Sequence, residues 1–405
     1  MTPKIISKPN LLKKFPKQVI ILFKIFGDDI RLVGGCVRDL LLQKKVNDFD
    51  FATKFLPQET IKILQENNIK ALPTGIKFGT ITAVIDGKNF EITTLRQDQE
   101  NDGRHCKPKF IDDYFFDAAR RDFTINALYL DYKGFIYDYF DGISDLKNKE
   151  VKFIGDANIR ISEDYLRILR FFRFSCQYSK TLDRKGLIAC VKQKSNLKKL
   201  SRPRIRAEIL KMLSTTNKKN LITVLKVLKK TKIVEEIFFS QLDVKALEKL
   251  FVLEKKFKLS SDLDLKIAVL FLKKNFDLKN FYEEICATNL EKKYFYFLQN
   301  NQIKNFSEFN KLLIANSKEV VLSLYLFGLA KSSSRQKTSL TKKNIKYLQE
   351  FSLPDFPLES SDLIELKFSG KILGEVLQKA KEFWAKNNFD LTKSDLIKFV
   401  AQFSK

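Results

Sequence analysis

The chain has 405 residues, 44% hydrophobic and 30% charged, with 74 Lys+Arg against 48 Asp+Glu and a formal net charge of +26. That balance describes a folded protein with room for two or three cores and excludes a disordered chain. The single histidine, His105, excludes metal sites built on several histidines and leaves at most one position for a Ser-His-Asp or Cys-His nucleophile, and the five scattered cysteines, without a C-x-x-C pair, argue against a disulfide framework.

At the start, "QVIILFKIF" is too short, and too interrupted by Lys24, for a signal or membrane segment. It reads as an amphipathic first helix. The acid-free first 27 residues leave an organelle transit peptide open, and cytoplasm is the expected compartment. Next, "LVGG" ends an apolar run in two glycines, where backbone N–H groups can approach a phosphate closely. Arg38 follows in the helix "VRDLLLQ", placed to pair with the same phosphates. In "VNDFDFAT", Asp48 and Asp50 sit at i and i+2. On a strand both carboxylates project to one face while Phe49 and Phe51 enter a core. Two like charges so placed repel unless they share a cation, and hard oxygen ligands of this kind suit Mg²⁺, which also bridges phosphates. A lone D-x-D arises often in turns; G-G-x-V-R-D with D-x-D about ten residues later is far more specific.

"PQETIKILQENN" reads as a helix, and "GTITAVIDG", "NFEITTL" and "GFIYDYFDG" as strands bounded by Gly, Asp or Asn. Residues 25–150 therefore form a small α+β domain around one sheet. Within it, "AARRDFTINALYLD" places two arginines before an aspartate and a predicted amphipathic helix, with Arg121 a candidate for a triphosphate. After Gly155 the strand signals fade. "EDYLRILRFFRFSCQY", "SRPRIRAEILKML", "NLITVLKVLKK" and "DLDLKIAVLFLKK" show helical spacing with Lys on the remaining face. Charge divides the chain at the same place. Residues 1–150 carry 24 Lys+Arg against 21 Asp+Glu, and residues 151–405 carry 50 against 27. A polycation of that size attracts phosphate backbones; a Lys-inflating genome explains the composition but not the asymmetry.

In combination, "LVGGCVRDLLL", "DFDFAT", "EITTLRQDQENDGRH", "DAARRDFTINALYLD", "DYFDGISDL", "FIGDANIRISEDYLRILRFFRF" and "LSRPRIRAEILKML" resemble the class II tRNA nucleotidyltransferases, which are close to bacterial poly(A) polymerases. The resemblance runs over roughly residues 28–213; the tyrosine of "EDYLRILR" and the segment "SGKILGEVLQKAKEFW" with Trp384 are similar to the alphaproteobacterial and mitochondrial branch. It implies a polymerase-β-like α+β head over 1–150, a helical nucleotide-selecting neck over 151–215 and an elongated helical body and tail over 216–405 that holds tRNA. The implied activity is template-independent addition of C, C and A to the tRNA 3′ end from CTP and ATP, by two-metal phosphoryl transfer with Mg²⁺. Position by position, Asp48 and Asp50 bind the metal and Glu91 is a third carboxylate. Gly35, Arg38, Arg121, Asp164, Arg167, Arg170 and Arg173 form the nucleotide site, the last four on one helix with Asp164 and Arg167 neighbours at i and i+3. No membrane association and no obligate protein partner are expected. Some relatives append a phosphohydrolase domain built on paired histidines, which one histidine cannot supply. A poly(A) polymerase, a CC-adding enzyme and a catalytically dead RNA-binding protein are the alternatives. Intact carboxylates and arginines oppose the last, and "RQDQENDGRHCKPKF" supplies the flexible loop that CC-adding enzymes lack.

Overall fold

The computed structural model of the chain describes residues 2–98, 108–238, 241–273, 277–303, 305–332 and 338–403. They group into two compact units, Met1–Ile237 and Phe238–Lys405.

In the first unit, strand β1 (Lys4–Ser7) leads to helix α1 (Lys17–Phe26), β2 (Ile30–Val33), α2 (Gly35–Leu41), β3 (Asp50–Thr53) and α3 (Pro57–Glu66). Then come β4 (Lys70–Gly75), β5 (Thr80–Ile85), β6 (Lys88–Thr94), the ribbon strands β7 (Arg96–Asp98) and β8 (Pro108–Phe110), and helix α4 (Tyr114–Ala119). Strands β9 (Leu128–Leu130) and β10 (Phe135–Asp138) and helix α5 (Gly142–Asn148) follow. Eight strands form one sheet in the order β1-β10-β9-β2-β3-β6-β5-β4. Every pairing in it is antiparallel except β3 with β6, which run parallel with Asp50 opposite Glu91.

The two faces of the sheet separate along each strand with period two. One face packs on α1, which presents Val19, Leu22, Phe23 and Phe26 at helical spacing and stops at Gly27, held at φ 60°. Phe49 and Phe51 enter this core, Phe51 meeting Phe23 edge-on at 5.6 Å between ring centres. The predicted burial of the two phenylalanines is therefore observed. The other face carries Val33, Ala52, Leu95 and Tyr129 beneath α4 and Ile154, and by alternation it carries Asp50 and Glu91. The helix expected after Asp122 is absent. Thr124–Asn126 form one 3₁₀ turn, and Leu128–Leu130 become a central strand buried on both faces. A short apolar run fits either element, and here pairing on both edges decides it.

The remaining helices of this unit are α6 (Ala157–Glu163), α7 (Leu166–Tyr178), α8 (Arg184–Gln193), α9 (Arg202–Leu213) and α10 (Lys218–Lys230), with α7 packed against α9 and α10. Phe123, Phe153, Phe171 and Phe174 interlock at 4.9–5.5 Å between successive centres, fixing α7 against the end of the sheet domain. "EDYLRILRFFRF" is not one helix. Asp164 leaves α6 with φ −153° and ψ 105°, and its Oδ1 accepts the Leu166 N–H that opens α7. An aspartate satisfies an orphan helix donor here at the expense of continuity, while the apolar pattern runs on across the break.

The described residues of the second unit are helical, from α11 (Val244–Phe257) and α12 (Leu263–Phe271) to α19 (Gly370–Lys386) and α20 (Lys393–Ala401). Trp384 is a core residue there, enclosed by Phe356, Phe389, Leu363 and Val400. Among the described residues no helix is long and apolar enough to cross a membrane.

Candidate active site

A cavity of about 430 Å³ opens on the upper face of the sheet. It is lined by Gly34, Gly35, Arg38, Asp50, Arg120, Arg121, Asp122, Asn126, Asp164, Arg167, Arg170, Arg173 and Phe174, with Val33. Eight of the ten residues predicted from sequence meet in it. Asp48 and Glu91 lie outside the lining, both exposed.

The floor comes from β2, the glycine turn and β3. Gly34 holds φ 77°, and a Cβ there would meet Arg121 Nη1 at 3.3 Å and the Asn126 carbonyl at 3.5 Å. Only glycine admits the arginine this close with that backbone. Asp50 stands at the start of β3, and Asp48 precedes the strand rather than lying on it. Burial, with the Glu91 carboxylate across the ladder, pushes the Asp50 carboxyl up to about 6; Arg121 opposes the rise and Asp48 adds to it. These are hard oxygen donors with excess negative charge, a donor set that fits a divalent cation. Among the described residues, no three carboxylate, thiol or imidazole side chains come close enough together to hold a metal by themselves.

The arginines are held by partners that sequence reasoning missed. Asp117, buried on α4, accepts Arg120 Nε (2.8 Å), Arg121 Nη2 (3.0 Å) and the Tyr129 hydroxyl (2.7 Å). Burial resists its charge, but Arg121 and Arg120 win and hold the carboxyl down at about 2. Asp122 accepts Arg170 Nε (2.7 Å) and Asn126 Nδ2 (3.0 Å), and Asn126 in turn accepts Arg38 Nη1 (2.5 Å). Arg173 donates to buried Glu208 of α9, and Arg167 to Glu163 and the Arg120 carbonyl. Asp164 and Arg167, expected as neighbours, each bond to other groups: Asp164 Oδ2 accepts Arg204 Nη2 at 2.8 Å. Both residues still face the cavity. Helical spacing could have found Asp117, three and four residues before the arginine pair. Nothing local ties Glu208 or Arg204 to α7.

The loop expected over "RQDQENDGRHCKPKF" has residues 99–107, His105 among them, outside the described residues; its flanks form β7 and β8. Arg96 donates to the Phe78 carbonyl and, through its backbone N–H, to Asp117 (3.4 Å), joining that ribbon to the arginine cluster.

A sheet floor with paired carboxylates, a glycine turn and a cluster of arginines beneath a helical wall define a nucleotidyltransferase head. The sequence model of the Poly A polymerase head domain matches residues 30–152. The chain is 33% identical over 408 residues to the human mitochondrial CCA tRNA nucleotidyltransferase 1, covering 95% of this chain and 89% of that one. It is 32% identical over 397 residues to the Danio rerio protein of the same name, covering 92% and 87%. The Bacillus stearothermophilus CCA-adding enzyme in complex with CTP shares the fold, with a TM-score of 0.74 at 23% identity over 95% of this chain and 96% of that one. The chain belongs to the CCA tRNA nucleotidyltransferase family.

Proposed function

We propose that the chain adds C, C and A to the 3′ end of tRNA from CTP and ATP, releasing pyrophosphate at each step. What supports this reading most is the convergence of Asp50 with six arginines in one cavity beside the Asp50–Glu91 pair. Arg38, Arg121, Arg170 and Arg173 receive the triphosphate, their charge offsetting that on the phosphate oxygens, and Gly35 lets the phosphates approach the backbone. Asp48 and Asp50, with phosphate and water oxygens completing the shell, are the residues that would hold Mg²⁺, which when bound neutralises phosphate charge and activates the RNA 3′-hydroxyl, and Glu91 is the further carboxylate beside them. Asp164, as acceptor, and Arg167, as donor, face the base. Cytosine and adenine both present an exocyclic amine beside a ring-nitrogen acceptor, whereas guanine and uracil present a carbonyl beside an N–H. A mismatch leaves buried polar groups unpaired at about 1–3 kcal/mol each.

In this reading residues 1–150 are the catalytic head and 151–215 the selecting neck. The basic residues 216–405 hold tRNA, through counterion release from its backbone. Cytoplasm is the compartment we assign. The test is incubation with tRNA lacking its 3′ end and each labelled nucleotide, followed by sequencing of the product. Addition of C, C and A supports the reading; A alone in long runs makes the chain a poly(A) polymerase, and C alone a CC-adding enzyme.

A further inference from the structure

Arg38 is 6% exposed, and side chains of the protein restrain it. Its Nε and Nη2 donate to the two oxygens of neighbouring Asp39, each at 3.0 Å, and Nη1 donates to Asn126. A guanidinium has five N–H donors. Three are used, which leaves one on each terminal nitrogen in a residue that lines the cavity. Which way those two N–H groups point depends on what fixes the plane of the guanidinium. One edge is set by Asp39, a tip by Asn126, and a face by the ring of Tyr178.

Tyr178 is the last residue of α7 and lies far in sequence from Arg38. Its ring centre is 4.1 Å from the guanidinium carbon of Arg38, and its hydroxyl donates to Asp39 Oδ1 at 3.0 Å. One side chain therefore covers a face of the arginine and completes the acceptor that orients the same arginine. The ring also carries the Lys44 ammonium, 4.3 Å from its centre. Phe174, one turn earlier, lies 5.3 Å from the Arg38 guanidinium carbon, 5.3 Å from that of Arg170 and 4.0 Å from that of Arg173. Burial pushes the Tyr178 phenol up to about 12, so the hydroxyl stays a donor at any physiological pH.

We propose that Tyr178 is a positioning residue for the triphosphate grip: its ring and hydroxyl together set the direction in which Arg38 offers its two remaining N–H groups. The inference rests on the reading of Arg38 as a triphosphate ligand. A geometry held on both an edge and a face loses less entropy on binding than a free arginine does. The C-terminus of the neck helix and the grip on the triphosphate are thereby mechanically one part, while base choice, at the other end of α7, is separate from Tyr178.

The test is equilibrium titration of the full-length protein with CTP and with ATP, for wild type, Tyr178→Leu, Tyr178→Phe and Arg38→Lys, and for Tyr178→Leu combined with Arg38→Lys. Tyr178→Leu should weaken both nucleotides alike, by about tenfold, because the arginine remains but must be ordered on binding. Tyr178→Phe should recover the part due to the ring. In the Arg38→Lys background Tyr178→Leu should add little, because it acts through the arginine. Steady-state addition should show KM raised for both nucleotides with kcat nearly unchanged and the order C, C, A intact. Wild-type affinity in Tyr178→Leu, or the same additional loss in the Arg38→Lys background, overturns the proposal. Loss of one nucleotide only would place Tyr178 in base selection and overturn it too. A wild-type protein that binds neither nucleotide overturns the reading of the cavity itself.

Discussion

Asp50 faces Glu91 across two parallel strands, and without a cation between them the two carboxylates repel. A carboxyl raised on folding costs stability wherever it is ionised in the folded chain, at pH above about 6, and that cost is relieved as pH falls toward the unfolded value near 4. Asp50→Asn should therefore raise the melting temperature at pH 8 in chelator while abolishing nucleotide addition. Mg²⁺ should stabilise the wild type and not the variant; equal melting temperatures in chelator would show that the repulsion is relieved some other way. Asp117 has the opposite sign. Its folded carboxyl is held at about 2, so its contribution is fully present above the unfolded value near 4 and is lost as pH drops through 4 toward 2. Urea unfolding between pH 5 and pH 2.5 should show a shallower loss for Asp117→Asn than for wild type. The same variant should be less stable at pH 7, since it leaves Arg120 and Arg121 short of a buried counter-charge.

Helix α7 depends on both of its neighbours. Glu208 of α9 is 3% exposed and holds Arg173, so Glu208→Gln should cost about 3–5 kcal/mol by leaving a buried arginine uncompensated, read from the urea midpoint. Asp164 both opens α7 and binds Arg204. Asp164→Ala should lose about 0.5–2 kcal/mol as a lost cap and also relax the choice of C and A over G and U, measured by sequencing products formed with all four nucleotides. Stability loss with unchanged selectivity would leave Asp164 as a cap alone. At this scale the sequence was readable where one signal dominated. The alternation around Asp48 and Asp50 placed Phe49 and Phe51 in the core, and the lysine-faced patterns gave α9, α10 and α12. It failed where two elements share one pattern: "NALYLD" carries helical spacing yet is a central strand, and the apolar run through "EDYLRILR" hides a break that the aspartate makes. The residues that lock the arginines in place, Asn126 and Glu208 above all, are distant in sequence and carry no motif that points at their partners.

Over the whole chain, charge and compactness divide at different positions. The net positive charge accumulates after residue 150, but the first compact unit runs to Ile237, because Arg170 binds Asp122, Arg167 binds the Arg120 carbonyl and Tyr178 binds Asp39. A chain ended at 237 should unfold cooperatively, whereas one ended at 150 should lose the wall of the cavity and expose Phe123, whose ring packs on Phe153 and Phe174. Near-ultraviolet circular dichroism and urea titration distinguish the two. Affinity of the full chain for tRNA should fall steeply with salt, by about a thousandfold between ~50 and ~200 mM if on the order of six phosphates are neutralised. A flat salt response would reduce the lysine excess to composition.

The one parallel pairing in the sheet bears on how the molecule is made. Strand β6 reaches β3 only after α3, β4 and β5 have been threaded between them, and the arginines of α7 arrive still later in the chain. Long-range closures of this kind are slow and come after local hairpins such as β5–β6. A growing polypeptide emerging from the ribosome thus holds Asp50 without Glu91, then both without Arg167, Arg170 and Arg173. If the cavity is the nucleotide site we propose, that polypeptide is inert toward nucleotides and RNA ends until α7 has been translated, so a protein that modifies tRNA acquires that capacity only after most of its first compact unit has left the machine that consumes tRNA.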